Sequence, residues 1–312
     1  MNPRTFCTII TPDYLPYALA LHHSLEKHAK VSFDFNVLIA CQSSEFEIPE
    51  NISPEIKFLF VDQLCKSGVG AKIFQKYYNG HMDEFRWSMK PVLVNYLIQV
   101  SAYEKVILVD SDIFFFSDFE FLFDALDSSA VLLTPHWRSS DPHLDPANFQ
   151  ILFNCGLYNA GFVGANKNAT QAMDWWASAC EYVCIKDPSR GYFVDQTHLN
   201  LFHIMFEGVE VLRHRGCNIA NWNQIECKRV LKESGSLWIN SEYPVIFVHF
   251  TKSTIQGILS GEDALLLPHL EEYMGTLKNY NPDPEITKKG KNHQIQSKKS
   301  TILSRILHWL KI

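Results

Sequence analysis

The chain has 312 residues, of which 46% are hydrophobic and 20% charged, a composition typical of a globular protein with a large core. The formal net charge of −6 argues against nucleic acid as a partner of the protein body. The charge is uneven, because residues 286–312 contain seven Lys or Arg residues and no acidic residue, which leaves 21 basic and 34 acidic residues elsewhere. An acidic body followed by a basic tail is therefore predicted.

The first half of the chain alternates predicted strands with predicted helices. A helix is expected to begin near Tyr14, where apolar residues start to recur at helical spacing, and another after Pro91, a residue suited to the first turn of a helix. The segment 106–109 is apolar without alternation, which is typical of a strand buried on both faces. Strands are predicted at 6–10, 33–41, 56–61 and 106–109. This alternation predicts an α/β fold with a mostly parallel central sheet flanked by helices.

The second half is less regular. A strand is predicted at 158–166, with close backbone approaches at Gly161 and Gly164. Helices are predicted at 168–183 and 194–206, and a late strand at 245–250. We expect one domain over residues 1–280. The remaining residues, 281–312, are polar and rich in Lys up to residue 300, and predict a flexible basic tail.

Two carboxylates, Asp110 and Asp112, follow the buried strand 106–109 directly. Side chains at i and i+2 of a strand point the same way, and ligands bind at the carboxyl ends of strands in open α/β sheets. Neighbouring carboxylates repel each other unless a cation lies between them. Mn²⁺ or Mg²⁺ prefers oxygen ligands and leaves positions free for a diphosphate. The alternative is that both aspartates cap a turn.

At these residues the chain resembles the GT-A-fold glycosyltransferases, most of all the family 8 retaining enzymes and their bacterial relatives. The resemblance spans roughly residues 5–260 and implies a GT-A (Rossmann-like) fold. The segments that carry it, in order, are "TIITPDYLPYALALHHSL", "FRWSMKPVLVNYLI", "VILVDSDIFFF", "YNAGFVG", "FVDQTHLN", "GCNIANWN" and "FVHFTK".

The resemblance implies a metal site and a donor site. Asp110 and Asp112 would hold Mn²⁺ or Mg²⁺, with His249 as third ligand, since a neutral imidazole accepts manganese well. A satisfied core histidine is the alternative for His249. The residues assigned to the nucleotide-sugar donor are Thr11, Tyr14, Arg86, Asp110, Ser111, Asn159, Gly161 and Lys252.

Four of these residues would hold the nucleotide half of the donor. Tyr14 would stack on the base, uracil by default, and Thr11 would contact the nucleotide. Arg86 would reach the phosphate or the sugar through its planar guanidinium, and Lys252 would neutralise diphosphate charge. The alternatives are a half-buried aromatic at a helix start for Tyr14, a surface salt bridge for Arg86 and a solvated lysine for Lys252.

Four further residues would meet the donor sugar. The Asn159 amide would bond sugar hydroxyls, and Gly161 would let the backbone approach the ligand, unless it only kinks the strand. Asp195 and Gln196 are the predicted catalytic pair. The Gln196 carbonyl would lie on the sugar face where a retaining nucleophile sits, and Asp195 would bond sugar hydroxyls or stabilise oxocarbenium-like charge. The alternative for Asp195 is a helix N-terminal carboxylate.

The implied reaction is metal-dependent transfer of a hexosyl unit from UDP-hexose to a hydroxyl of a glycan or glycolipid, with retention, as in lipopolysaccharide biosynthesis. One alternative is a sugar-1-phosphate nucleotidyltransferase, which would need a glycine-rich phosphate loop that "IITPDYLPYA" lacks. A second is a non-catalytic nucleotide-sugar-binding relative. Residues 134–150 lie where an acceptor loop is expected, and Trp137 either stacks on a sugar or anchors the loop.

Cysteine usage and the termini predict the compartment. The eight cysteines form no CxxC pair, which favours buried free thiols in a reducing cytoplasm over a disulfide or zinc framework. The start "MNPRTFCTIITPDY" is unlike a signal peptide, and no apolar window reaches transmembrane length. A cytoplasmic protein is therefore expected.

The final segment "STILSRILHWLKI" predicts an amphipathic helix, with apolar residues on one side and basic residues towards the other. Such a helix, preceded by a cluster of lysines, suits the cytoplasmic face of the inner membrane, where it would lie in the headgroup plane. The alternative is that it packs on its own domain or on a second copy of the chain.

Overall fold

The computed structural model describes residues 3–50 and 52–280. Strands and helices alternate through most of this part of the chain. The strands are β1 (Arg4–Ile10), β2 (Asp34–Ile39), β3 (Ile56–Phe60), β4 (Lys105–Val109), β5 (Ile113–Phe115), β6 (Val131–Pro135), β7 (Tyr158–Asn166), β8 (Lys186–Asp187), β9 (Tyr192–Phe193), β10 (Val209–Val211), β11 (Arg229–Leu231), β12 (Leu237–Ile239), β13 (Tyr243–Pro244) and β14 (Phe247–His249).

The helices flank these strands. The α-helices are α1 (Leu15–His28), α2 (Val61–Leu64), α3 (Gly68–Tyr77), α4 (Met82–Gln99), α5 (Glu120–Ser128), α6 (Pro146–Cys155), α7 (Thr170–Tyr182), α8 (Phe202–Met205), α9 (Lys252–Ser260) and α10 (Leu267–Tyr280). Short 3-10 helices lie at Pro12–Tyr14, Ser43–Glu45, Pro188–Arg190, Gln196–Leu201, Asn221–Asn223 and Ala264–Leu266.

The central sheet has seven strands in the order β10-β6-β7-β4-β1-β2-β3. Its pairs are parallel except at β7, which runs antiparallel to both β4 and β6. The predicted mostly parallel sheet is therefore confirmed. Since β1, β4 and β6 run the same way, their carboxyl ends meet at one edge, where β7 begins. This edge of the sheet carries the candidate site.

The sheet is buried on both faces. Residues of β4 divide between two hydrophobic clusters: Val106 and Leu108 pack with α4 and α7, whereas Ile107 and Val109 pack with α1 and α5. The prediction that this strand is covered on both sides is therefore confirmed. All eight cysteines are free and seven of them are buried, as expected for thiols that serve as core residues.

A second layer of short strands closes the site. β14 pairs antiparallel with β5, which places His249 opposite Ile113, and the amide of Phe250 donates to the carbonyl of Asp112 at 2.8 Å. A three-stranded sheet, β11-β12-β13, packs beside it with α9 and α10. The β5–β14 ladder thus brings a histidine from late in the chain to the end of β4.

Two predicted helices differ from those observed. The prediction that a helix begins at Pro91 is wrong, because α4 begins at Met82 and contains Pro91. Acidic residues in its first turn suit a helix N-terminus, and buried apolar side chains after Pro91 stabilise the helix although the proline has no amide to donate. The helix predicted over 194–206 is a 3-10 helix, Gln196–Leu201, followed by the one-turn α8.

The domain boundary predicted at residue 280 and the amphipathic helix predicted near the C-terminus fall on residues 281–312, which lie outside the described part of the chain. Among the described residues, no helix combines the length and the apolar character needed to span a bilayer.

Candidate functional site

A cluster of three potential metal ligands lies at the end of β4. Asp110, Asp112 and His249 each offer one ligand atom, and these atoms lie within 4.8 Å of one another. Nε2 of His249 is 3.1 Å from Oδ1 of Asp112 and 4.0 Å from Oδ2 of Asp110. The predicted residues therefore meet, but strand alternation does not bring them together. β4 ends at Val109, and both aspartates lie in the turn that leads to β5.

The donor set of this cluster fits a hard divalent cation. Two carboxylates and one imidazole are ligands that Mn²⁺ accepts, and Mg²⁺ accepts the oxygens. Nδ1 of His249 faces Oδ1 of Asn218 at 3.3 Å, so an Nδ1–H donated to this amide leaves Nε2 free towards the carboxylates. Burial lowers the pKa of His249, but the Asp112 carboxylate raises it above the ordinary value. The same negative charge would attract a cation.

Glycine is required at position 161 by the approach of His249. A Cβ at this position would lie 2.5 Å from Cε1 of His249 and 2.6 Å from Oδ1 of Asn159, closer than side chains can come. The carbonyl of Gly161 accepts from the amide of Asp110 at 2.9 Å. A close approach at Gly161 was predicted from the sequence, and the approaching group in the structure is the imidazole ring of His249.

No role was predicted for Lys90 from the sequence. In the structure it is the central cation, or hub, of the site, because it pairs with two carboxylates. Its buried Nζ lies 2.9 Å from Oδ1 of Asp110 and 3.3 Å from Oδ2 of Asp195, and it donates to the carbonyl of Ala160 at 3.0 Å. Burial lowers the pKa of Lys90, but the two carboxylates raise it above the ordinary lysine value, so the ammonium stays charged. A lysine inside the apolar run "MKPVLV" was the available signal.

Asp195 and Gln196 are both buried beside this hub. The indole of Trp176 donates to the Asp195 carbonyl at 2.9 Å, and Oδ2 of Asp195 forms an ion pair with Lys90 that lacks hydrogen-bond geometry. Burial raises the pKa of Asp195, and Lys90 opposes this without reversing it. Val194 has φ of 50°, a left-handed conformation that a β-branched residue adopts only under constraint. The chain is therefore strained directly before the predicted catalytic pair.

Asn159 connects the two halves of the site. Its Oδ1 accepts from Nδ2 of Asn218 at 3.2 Å, and its Nδ2 faces Nε2 of His136 at 3.4 Å and Oε1 of Gln196 at 3.5 Å. Burial lowers the pKa of His136 to about 3, which keeps its ring neutral. Asn218, a residue with φ of 57°, thus orients both Asn159 and His249. It lies in the segment "GCNIANWN" that carried the resemblance, but no role was predicted for it.

A cleft of about 200 Å³ opens beside the cluster. Five of the residues predicted for donor or metal binding line it, together with Lys90. Tyr14 is 38% exposed, stacks on Tyr17 with ring centroids 4.8 Å apart, and lies 5.7 Å from the guanidinium carbon of Arg86. The cleft is lined by Ile9, Tyr14, Arg86, Trp87, Lys90, Asp110, Ser111 and Asp112.

Three predicted donor residues make contacts of other kinds. Arg86 forms an ion pair with Asp83 one turn earlier in α4, which is the surface salt bridge named above as the alternative role for Arg86. Its guanidinium nevertheless faces the ring of Tyr14 and lines the cleft. Thr11 donates from its hydroxyl to the Asp13 carboxylate at 2.6 Å. Lys252 is exposed at the start of α9, and within residues 3–50 and 52–280 no hydrogen bond or ion pair joins it to the cluster.

Comparison with known proteins gives the fold its name. No family model matches the chain. It is 28% identical over 262 residues to the uncharacterized protein YfnD of Bacillus subtilis, covering 82% of this chain and 79% of the relative. The structure is similar to that of galactosyltransferase LgtC in complex with donor and acceptor sugar analogues, with a TM-score of 0.53 and 15% identity over 91% of this chain and 99% of LgtC.

Mouse xyloside xylosyltransferase 1 in its apo form is a second similar structure, with a TM-score of 0.50 and 14% identity over 80% of this chain and 98% of that one. Both are glycosyltransferases, and at these identities the likeness concerns the fold. The chain therefore has the GT-A fold, as the sequence predicted.

Proposed function

We propose that the chain is a family 8 type glycosyltransferase that transfers a hexosyl unit from UDP-hexose to a hydroxyl of a glycan or glycolipid, with Mn²⁺ or Mg²⁺ as cofactor and with retention. The observation that carries the proposal is the meeting of Asp110, Asp112 and His249 beside a cleft, at the edge of the sheet where open α/β folds bind ligands. The GT-A fold adds support, since both similar structures named above are glycosyltransferases.

Each of the predicted site residues has a role in the proposed sugar transfer. A divalent cation bound by Asp110, Asp112 and His249 would supply Lewis acidity that neutralises the departing diphosphate. Tyr14 offers a ring face to the base, and Arg86 extends towards the phosphates. The bond from the anomeric carbon to the diphosphate oxygen breaks, a bond to the acceptor oxygen forms, and the acceptor proton passes to the diphosphate.

Positive charge develops on the sugar during this exchange, and the carboxylate of Asp195 and the amide oxygen of Gln196 would stabilise it. Asp195 is buried and lies 3.3 Å from Lys90, which opposes the protonation that burial favours. Gln196 donates through Nε2 to the carbonyl of Cys155 at 2.8 Å, and this bond leaves its Oε1 on the side of Asn159. Electrostatic groups fixed in advance around developing charge are the main source of rate in many enzymes.

Two alternative functions have less support. Nucleotidyl transfer would need a glycine-rich phosphate loop after β1, and the residues there are Thr11, Pro12 and Asp13. A non-catalytic sugar-nucleotide binder would need no charged hub, whereas Lys90 is buried between two carboxylates.

A donor screen tests the proposal. Wild-type protein is incubated with a panel of nucleotide sugars, with Mn²⁺, with Mg²⁺ and with chelator, and release of nucleoside diphosphate is measured. We expect hydrolysis of a UDP-hexose that stops in chelator. Full hydrolysis in chelator would contradict the role of the metal, and absence of hydrolysis with every donor would favour the binding-protein alternative.

We also propose, from the sequence of residues 281–312 alone, that the tail holds the enzyme at the cytoplasmic face of a membrane, next to a lipid-linked or lipopolysaccharide acceptor. Each basic residue near an anionic surface contributes about 1 kcal/mol, screened by salt. Full-length protein should float with anionic vesicles at low salt, and a version that ends at Asn281 should not. Failure of the full-length protein to float would assign the tail to a protein interface instead.

A further inference from the structure

Arg138 is a half-buried cation without an ion-pair partner in the part of the chain that the structure describes. Its Nη1 donates to Oδ1 of Asn148 at 2.8 Å, and its guanidinium carbon lies 6.0 Å from the ring centroid of Trp222. Its Nε is buried and has no hydrogen-bond partner. Within residues 3–50 and 52–280, Nη2 also makes no hydrogen bond, so one whole edge of the guanidinium, Nε and Nη2, is left without an acceptor.

The acidic residues nearby do not supply this acceptor. The Asp145 carboxylate accepts from the amide of Asn148 at 3.0 Å and forms no ion pair with Arg138. The Glu226 carboxylate binds the amide and hydroxyl of Ser140 and approaches Arg215 at 3.5 Å. Charged groups removed from water are normally paired. A guanidinium held in place with a free edge is therefore a site for an anion that comes from outside the chain.

The position of Arg138 connects it to the proposed reaction. It follows the carboxyl end of β6, at the same edge of the sheet as Asp110 and Asp112. The Trp222 ring lies 5.5 Å from the ring of His249 and 5.6 Å from that of His136. Neither Arg138 nor Trp222 lines the cleft that Tyr14 and Arg86 line. The pair is therefore adjacent to the metal cluster but separate from the predicted nucleotide pocket.

Trp222 is joined to Arg138 through Asn148, and its indole nitrogen is unsatisfied. Its carbonyl accepts from Nδ2 of Asn148 at 2.9 Å, so one amide joins Trp222 to Arg138. Nε1 of Trp222 is buried without a partner. An indole beside a guanidinium edge offers a ring to a pyranose and paired donors to its charged substituent. The two side chains thus place a cation and an aromatic ring next to each other, with a buried unpartnered nitrogen on each.

We propose that Arg138 and Trp222 form an acceptor subsite for an anionic sugar. The pyranose ring contacts the indole of Trp222, and its carboxylate or phosphate accepts from Nε and Nη2 of Arg138. The assignment of this subsite to the acceptor rests on the proposed function. Recognition of the anion itself does not, because it depends on the free guanidinium edge.

The test measures binding without donor, by calorimetric titration with three probes: methyl glucuronide, its neutral methyl ester, and methyl glucoside 6-phosphate. Wild-type protein should bind at least one anionic probe about tenfold tighter than the ester, the advantage expected for a charge-assisted bidentate contact. The uronate and phosphate arms distinguish which anion is preferred. Equal affinity for all three probes, or no binding of any, would overturn the proposal.

Variants separate a specific contact from a general charge effect. Arg138→Gln should abolish the preference for the anionic probe, and Arg138→Lys should retain only part of it, because lysine lacks the planar edge. Arg213→Gln, which removes an exposed arginine just after β10, is the matched control and should leave the preference unchanged. Trp222→Phe should weaken the anionic probe and the ester alike. Unaltered preference in Arg138→Gln protein with a wild-type melting temperature would contradict the assignment.

Two further measurements distinguish failure of the acceptor assignment from failure of the proposed function. If Arg138→Gln weakens binding of UDP with Mn²⁺ and leaves the anionic probe unaffected, the arginine serves the donor and the acceptor assignment is wrong. If no nucleotide sugar is hydrolysed but the uronate preference persists and depends on Arg138, the proposed function fails while the anion site stands.

Discussion

The two sides of the site differ in how their charges are balanced. On the side proposed to bind the donor, Lys90 lies between Asp110 and Asp195, and Asp112 faces His249. On the side proposed to bind the acceptor, Arg138 has no carboxylate partner among the described residues. The donor side therefore holds its carboxylates in place before a ligand binds. On the proposed acceptor side, the free edge of the Arg138 guanidinium would be paired only by a bound anion.

The two sides therefore suit different tasks: the first fixes charges in advance for catalysis, and the second recognises a ligand. Internal ion pairs fix geometry in advance, which suits groups that must stabilise charge as it develops in a transition state. An unpaired guanidinium edge instead discriminates between ligands, since one that lacks an anion leaves the donors unsatisfied. Substitutions on the donor side should therefore lower turnover, and substitutions on the acceptor side should change which molecule is bound.

The largest effect is expected on the donor side from Asp112→Asn. Removal of one anionic ligand should lower metal-dependent donor hydrolysis about a thousandfold, because the metal stabilises transition-state charge by several kcal/mol. Steady-state hydrolysis of the preferred nucleotide sugar with saturating Mn²⁺ measures this. Asp124→Asn, an exposed aspartate on α5, is the control and should keep wild-type turnover. Near-normal activity of the Asp112→Asn protein would contradict the metal assignment.

The substitution Asp195→Asn should separate turnover from nucleotide binding. Asp195 forms an ion pair with Lys90 and does not line the predicted nucleotide pocket. Loss of a fixed charge beside the sugar should lower kcat about a hundredfold. The dissociation constant of UDP, measured by calorimetry in Mn²⁺, should change little. A loss confined to UDP affinity, with kcat preserved, would place Asp195 on the nucleotide instead.

Two glycine substitutions test whether the approach of His249 matters. Gly161→Ala would place a methyl group 2.5 Å from the imidazole, so the ring must move and Mn²⁺ affinity should fall about 10- to 100-fold. Gly275→Ala, in α10 with open space around the added atom, should instead stabilise the protein by about 0.5–1 kcal/mol. Mn²⁺ titration by electron paramagnetic resonance would show the difference, and equal affinity in both variants would refute it.

The last effect concerns stability instead of ligand binding or turnover, and it involves His22, which belongs to neither side and packs against Phe33 and Phe35 with Glu26 and Glu55 nearby. Burial lowers its pKa from 6.5 to about 4. The unfolded chain therefore takes up the proton first, and stability falls as the pH drops below 6.5, by about 2 kcal/mol at pH 5. Denaturant unfolding at pH 7.5 and pH 5 should show a smaller decrease for His22→Gln. An identical decrease in the two proteins would contradict the lowered pKa of His22 in the folded state.

The cluster at the end of β4 was predictable because its signals are local. The buried strand before Asp110, the pair of carboxylates and the glycine at position 161 lie within short segments, and their order along the chain carried the resemblance. The fold followed from the alternation of apolar segments. The start predicted at Pro91 was wrong because a proline that suits a first turn does not exclude an earlier start. The helix α4 begins at Met82, and its apolar residues on both sides of Pro91 belong to one hydrophobic cluster.

The rest depends on contacts between distant segments. Lys90 and Asp195 are 105 residues apart, and Asn218 meets Asn159 and His249 from separate elements. That Arg138 lacks an anionic partner becomes visible only when the surrounding side chains are placed. A sequence shows which charged residues exist, but it does not show which of them remain unpaired.

The central claim is that Asp110, Asp112 and His249 form a divalent-metal site that binds a nucleoside diphosphate. Calorimetric titration of wild-type protein with UDP, once in Mn²⁺ and once in chelator, tests it most directly. We predict binding in Mn²⁺ that weakens at least about tenfold in chelator, as expected when the metal contributes several kcal/mol to holding the phosphates. Equal affinity under both conditions, or no binding in Mn²⁺, would contradict the claim.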